Sequence, residues 1–349
     1  ELWGSLDLPV SLTARKVGKG TVYWGQDIYL KTDDEEEFYP SYVKTANLLK
    51  EIGLDEDFSV GGAPIRFTHR KTNDRDIYFV ANTSDSIISV DADFRVSGMT
   101  PELWHSETGE RRSLPNFIDR GDKTTIPLQF EAHESYFVVF GKDDKGFPSN
   151  GKNFQTFNDV KLIDGEWSVS FDPKRGGPEK IIFESLVDWK DHAELGVKHY
   201  SGKATYTKTF DVQAEIKPKD NYFIELGPTY EMARVTLNGE DLGTVWTSPW
   251  RVPTKTALKS KANILKVEVA NSWENRLIGD TLAEDKDVRT LKWSSGLLEG
   301  KEYKAGRYTF TTYLKAASDF GDIKLEPPKL QSSGLIGPVK IVKVDESNQ

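Results

Sequence analysis

Val235-Thr236-Leu237-Asn238-Gly239-Glu240-Asp241-Leu242-Gly243 is the stretch that decides the fold. Asn-Gly stands between two segments in which apolar and polar residues alternate. A type I′ turn needs positive φ at both central positions, which Asn and Gly tolerate best, so the stretch predicts a two-residue β-hairpin. Val235 and Leu237 lead into the turn; Leu242, Thr244 and Trp246 lead out of it. The same period of two recurs on either side. Tyr206, Phe210 and Val212 share one strand face, with Thr205, Thr207, Thr209 and Asp211 opposite. Tyr222, Ile224 and Leu226 share another, and Leu265, Val267 and Val269 alternate with Lys266 and Glu268. Tyr308, Phe310 and Thr312 form a late strand. A period of two places one strand face in the core and the other in water. About eight such strands over residues 150–349 predict a jelly-roll sandwich with long loops.

Upstream, residues 61–145 are also all strand. In Ile88 to Val96 the alternation is clean, whereas Ile77 to Ala81 and Tyr136 to Phe140 are continuous apolar runs suited to deeper burial. Gly98, Pro101, Gly109 and Pro115 punctuate at short intervals, which predicts a small antiparallel β-sandwich. The Gly-, Asp- and Lys-rich connector from Gly141 to Lys152 marks the boundary with the jelly roll. Residues 1–60 differ. Thr21 to Trp24 predicts a short strand, and Val43, Ala46, Leu49 and Ile52 lie on one stripe of a helix that Gly53 would stop. One strand and one helix make no domain, so this zone is expected to be the remnant of an upstream α/β domain. The fold class is therefore mainly β: a small β-sandwich followed by a jelly roll, preceded by an α/β remnant.

The chain has 349 residues, enough for two or three domains. Nine Trp, 13 Tyr and 18 Phe exclude a disordered chain, which could not bury a core. Absence of cysteine excludes disulfides, thiol nucleophiles and cysteine-held metals. A net charge of −9, with Lys and Arg interspersed among acids, argues against nucleic acid as a partner. No apolar run is long enough for a membrane span, and no signal peptide is visible. The five histidines are scattered. No phosphate-cradling loop, nucleophile elbow or metalloprotease pair is present. The acidic run Asp33 to Glu37 reads as a calcium loop or as a solvated acidic face. With 55 carboxylates, no acid pair can be singled out as a glycosidase dyad.

Tryptophans are more informative. Trp246 and Trp250 flank Thr247-Ser248-Pro249, with Arg251 following, and Trp273 lies in Asn271-Ser272-Trp273-Glu274-Asn275-Arg276. A sugar presents an apolar C–H face and a rim of hydroxyls, which a flat indole with neighbouring Asn, Arg and Asp can match. The same residues could instead plug the ends of a sandwich core. Arg276 and Asp280 could bind a ligand or form a buried ion pair that pins a loop. The candidate carbohydrate-binding or interface residues are thus Trp246, Trp250, Arg251, Asn271, Trp273, Asn275, Arg276 and Asp280, with no catalytic and no metal-ligating residue assigned.

Tyr200-Ser201-Gly202-Lys203-Ala204-Thr205-Tyr206 with Phe210, the Asn-Gly hairpin, and Ala262 to Val269 resemble the sugar-binding, galactose-binding-like jelly roll of family 2 glycoside hydrolases. Asn271 to Asp280 and Ser332 to Val339 are similar to the C-terminal region of glycoside hydrolase family 106, the α-L-rhamnosidases. Phe67 to Arg70, Asp76 to Asn82 and Glu102 to His105 resemble the sandwich that precedes the jelly roll there. The resemblance implies a parent enzyme that cleaves terminal α-L-rhamnosyl linkages in plant polysaccharide. It implies that the catalytic carboxylates and a calcium-assisted rhamnose site belong to an upstream barrel absent from these residues. Calcium is then expected of the parent enzyme, with no cofactor in this chain, and the chain is expected to be a fragment of a longer protein. The expected partners are rhamnose-containing polysaccharide and the upstream barrel; the expected location is the periplasm or cell surface. Three roles compete: an accessory part that braces the barrel, a free-standing carbohydrate-binding module, and a purely structural scaffold whose tryptophans are all core.

Overall fold

The computed structural model describes residues 9–25, 29–31, 36–142, 151–217, 220–282, 288–292, 299–303, 308–310 and 329–345. They divide into two compact units. The first is Glu1–Gly62 with Asp91–Gly98 and Ile118–Ile126; the second is Ala63–Val90 with Met99–Phe117 and Pro127–Gln349.

In the first unit the predicted strand is present as β2 (Gly20–Trp24), paired antiparallel with β1 (Thr13–Val17). A second antiparallel pair joins β3 (Tyr29–Lys31) and β4 (Glu36–Pro40). The helix α1 (Tyr42–Glu51) follows, with the Ser41 hydroxyl accepting from the Lys44 N–H at its start and Ile52 closing its last turn. Its apolar stripe faces water: Val43 is 70% exposed, and Leu49 and Ile52 are exposed as well. The acidic run expected at Asp33 to Glu37 falls mostly outside the described residues. β5 (Phe58–Ser59) pairs with β8 (Ile88–Phe94), where Phe58 and Phe94 meet edge to face at 5.0 Å. Strand order in this four-stranded sheet is β11 (Ile118–Asp119), β12 (Thr124–Phe130), β8, β5.

A five-stranded antiparallel sheet belongs to the second unit. Its order is β10 (Arg111–Ser113), β9 (Thr100–Trp104), β13 (Ser135–Gly141), β7 (Arg75–Asn82), β6 (Ile65–Lys71). Tyr78, Val80, Leu103, Tyr136 and Val138 are fully buried on one face, as the alternation requires. The four-stranded sheet likewise buries one face, with Ala92, Phe94, Ile126, Leu128 and Phe130. Asn153 fastens the entry to the next module by donating to the carbonyls of Asn116 (2.7 Å) and Pro127 (3.0 Å). The expected connector Gly141 to Lys152 lies mostly outside the described residues.

The jelly roll is built from two antiparallel sheets. One is ordered β14 (Phe157–Leu162), β28 (Lys340–Val344), β18 (Tyr222–Glu225), β22 (Arg251–Pro253). The other is ordered β16 (Ile181–Phe183), β15 (Trp167–Ser170), β17 (Lys203–Phe210), β23 (Asn263–Ala270), β20 (Met232–Leu237), β21 (Glu240–Val245). Trp167, Tyr206, Ile224, Val235, Val267 and Ile341 interdigitate in one continuous core. Asn238 and Gly239 adopt φ of 52° and 89°, the two positive values that the hairpin demanded. One detail departs from simple alternation. Thr236 pairs with Asp241 but Val235 with Gly243, so Leu242 is an extra residue in a β-bulge. Leu242 is buried, and the phase then flips, turning Thr244 and Trp246 outward. The expected late strand also differs. Tyr308–Phe310 forms a strand in a separate three-stranded sheet with Val288–Lys292 and Glu299–Tyr303, and Thr312 lies outside the described residues.

Candidate functional site

The register of the six-stranded sheet gathers the candidate residues at one end. Lys203 pairs with Ala270, Met232 with Ala270, and Ala233 with Val245. The segment before β17, the segment after β23 and the segment after β21 therefore emerge together, carrying Gly202, Asn271 to Trp273, and Trp246. Here the chain enters a helix, α2 (Glu274–Leu282) in the numbering of helices longer than one turn. One of the two readings of Arg276 and Asp280 expects a loop here, and the structure has a helix instead. The helix forms because Glu274 occupies its first turn and apolar Ile278 packs inward at 5% exposure.

Asn271 and Asn275 are committed to the fold. The Asn271 side-chain amide donates to the Tyr200 carbonyl (2.8 Å) and to Ser333 Oγ (3.2 Å), while its oxygen accepts from the Gly202 N–H (3.0 Å). Asn275, only 2% exposed, donates to the Gln331 carbonyl (2.6 Å) and Ser333 Oγ (3.1 Å) and accepts from the Gln331 N–H (2.7 Å). Both amides thus hold the segment around Ser333 against the sheet end. The Ser333 N–H donates to Asp188 Oδ1 (2.9 Å), and the Trp189 N–H donates to the Ser333 carbonyl (3.0 Å). Next to it Gly334, at φ 96°, lies against the Trp189 indole so closely that a Cβ would overlap the ring. The Trp189 indole in turn donates to the buried Tyr206 hydroxyl, which also accepts from the Leu335 N–H. Burial lifts the Tyr206 hydroxyl far above the usual phenol range, so it stays neutral.

Trp246 and Trp273 behave differently. They are 59% and 57% exposed. The Arg175 guanidinium carbon lies 5.8 Å from the Trp273 ring centroid, and the Arg276 guanidinium, buried, donates to the Arg175 carbonyl at 3.5 Å. Asp280 lies on the helix, and its side chain is outside the described residues, so the expected Arg276–Asp280 pairing falls there too. Trp250 is half-buried and packs against the jelly-roll core.

Arg251 belongs elsewhere. Its guanidinium binds Glu225 Oε2 through Nη2 (2.6 Å) and Nε (3.1 Å), lies 4.0 Å over Phe157, and stands 4.0 Å from Glu131, the residue after β12. Beside Glu131, the Glu134 carboxyl is buried and accepts from the Glu131 N–H (2.8 Å); burial pushes it up to about 7. Arg175 and Gln331 escaped the sequence reading, and Ser333 entered it only within the Ser332 to Val339 resemblance, with no role at this site. They reach the site from segments 56 to 101 residues away in sequence, which no local spacing reveals. Among the described residues, no three His, Asp or Glu side chains converge to hold a metal ion.

Residues 1–117 match the glycoside hydrolase family 106 α-L-rhamnosidases, and residues 186–311 match the galactose-binding-like domain of glycoside hydrolase family 2. The structure is similar to a rhamnosidase from Novosphingobium sp. PP1Y, with 30% identity and a TM-score of 0.63, covering 95% of this chain and 27% of that one. A Formosa agariphila protein described as "Putative beta-glucuronidase" is 33% identical over 192 residues, 53% of this chain and 16% of that protein. This chain therefore spans well under a third of the length of either relative. The two ends of the likeness thus differ: the N-terminal third is similar to the family 106 α-L-rhamnosidases, and residues 186–311 are similar to the galactose-binding-like domain of family 2 glycoside hydrolases.

Proposed function

We propose that this chain is the accessory, non-catalytic β part of an α-L-rhamnosidase-like glycoside hydrolase acting on rhamnose-containing plant polysaccharide. The observation that carries this reading is the alignment of 95% of the chain, at 30% identity, with only 27% of a rhamnosidase. In this reading the catalytic carboxylates and any calcium sit in an upstream barrel. The exposed apolar stripe of α1 then has a covering surface, and the enzyme works in the periplasm or at the cell surface. Residues 61–145 and 150–349 are its small sandwich and its jelly roll, and residues 1–60 are the end of the upstream domain. The test is release of nitrophenol from an aryl α-L-rhamnoside: the isolated chain gives none. Turnover that a single Asp or Glu substitution within these residues abolishes refutes the reading.

Exposure of Trp246 and Trp273 favours a second role at the same sheet end, direct contact with sugar. Both indoles are exposed, and Trp273 has the Arg175 guanidinium beside it. Calorimetry against rhamnose and rhamnogalacturonan oligosaccharides tests it. A heat signal at millimolar ligand that Trp273→Ala removes supports the contact; no signal counts against it.

A further inference from the structure

The outer face of the five-stranded sheet carries a cross-strand row that none of the above uses. Register aligns Arg111, Trp104, Phe137, Phe79 and Thr68 across β10, β9, β13, β7 and β6. Their chain neighbours Leu103, Val138, Tyr78 and Val80 are fully buried, so this row points the opposite way. At about 4.8 Å per strand it runs for about 20 Å. Phe79 and Phe137 rings are 5.1 Å apart, and both are half-buried.

Trp104 collects two cations. The guanidinium carbon of Arg111 lies 3.9 Å from the indole centroid and that of Arg75 lies 5.3 Å from it. Arg66 and Arg70, opposite Ala81 and Ile77, occupy the same face of β6 and are exposed. Two acids moderate this charge. Glu102 accepts from the Trp104 indole N–H at 2.8 Å, and Asp74 stands 3.9 Å from Arg75 Nε. Four arginines against two acids make a local cationic surface on a chain of net charge −9. Among the described residues no carboxylate pairs with Arg111. A guanidinium held over a ring keeps N–H donors that the ring does not use, and its planar fork suits a carboxylate. Two guanidiniums held over one indole repel each other, and an anion between them relieves that repulsion.

We propose that this face binds an acidic glycan, with a uronate carboxylate on Arg111 and Arg75 and pyranose rings lying along the Phe79–Phe137 strip. Charge complementarity selects the occupant: a neutral glycan makes no use of the arginines, and an extended acidic sugar chain uses both them and the aromatic row. This site lies on the five-stranded sheet and stands independently of the role proposed for the jelly roll.

The full 349-residue chain is run by affinity electrophoresis, at low salt, in gels containing polygalacturonate, neutral galactan, dextran sulfate or single-stranded DNA. A protein of net negative charge is not retarded by a polyanion unless a local patch binds it. Retardation by polygalacturonate and not by galactan is expected. In Arg75→Gln/Arg111→Gln it weakens roughly tenfold, as loss of charge-assisted contacts predicts. Lys203→Gln/Arg234→Gln removes the same charge from the jelly roll and should leave retardation unchanged, with thermal melting confirming that all variants fold. Absent retardation, equal weakening in both double variants, or retardation only by dextran sulfate overturns the proposal. Retardation by DNA as strong as by polygalacturonate overturns it too.

Discussion

Replacing Asn275 by Ala separates a strut from a ligand-binding amide. Three hydrogen bonds vanish at once: two donated to the Gln331 carbonyl and Ser333 Oγ, one accepted from the Gln331 N–H. Ser333 is buried, so its hydroxyl loses one of two amide donors and keeps that of Asn271, whereas the Gln331 backbone lies nearer solvent and can be rehydrated. The net cost is then about 1–3 kcal/mol, from three hydrogen bonds at about 0.5–1.5 kcal/mol each with part recovered by hydration. For a module of this size that lowers Tm by about 3–10 °C, at roughly 2–4 °C per kcal/mol. Differential scanning calorimetry reads it directly. Trp273→Ala is the counterpart: the side chain is 57% exposed, and its removal should change stability by no more than about 0.5 kcal/mol. If Asn275→Ala leaves Tm unchanged while abolishing sugar binding, the amide serves a ligand and the structural assignment is wrong.

Tyr206→Phe deprives the Trp189 and Leu335 N–H groups of their shared acceptor and should cost about 1–3 kcal/mol in denaturant melts; an unchanged midpoint refutes this. Gly334→Ala puts a methyl group into the Trp189 ring at a left-handed backbone position, so folded yield should fall sharply, and a well-folded variant refutes the close packing. Burial raises the Glu134 carboxyl to about 7, above its unfolded value, so the native state keeps a proton that the unfolded chain gives up earlier. Its contribution is fully present below about 4.5 and is lost as pH rises to about 7, on the order of 3 kcal/mol in all. Glu134→Gln should flatten this decline and be the more stable protein at pH 8; identical pH profiles for both proteins contradict it.

Legibility in the sequence followed the range of the interactions. The Asn238-Gly239 turn, the strand alternations beside it and helix α1 are set by neighbouring residues and could be read directly. Phase after the hairpin could not, because the bulge at Leu242 is a property of pairing with β20 and not of β21 alone. Trp246 was grouped with Leu242 for that reason, yet it faces water. The roles of Asn271 and Asn275 were equally hidden. A buried Asn and a sugar-binding Asn look alike until their partners at Tyr200, Gln331 and Ser333 are in place. Arg251 shows the same point: its neighbours in sequence are the candidate tryptophans, but its partners in space are Glu225, Glu131 and Phe157.

Release of nitrophenol from an aryl α-L-rhamnoside by the purified chain is the measurement that bears most directly on the account. The account predicts no release above the buffer rate, with or without added calcium, from a chain whose cooperative melt shows it to be folded. Release that persists through purification and disappears on one Asp or Glu substitution would place catalytic chemistry within these residues and contradict it.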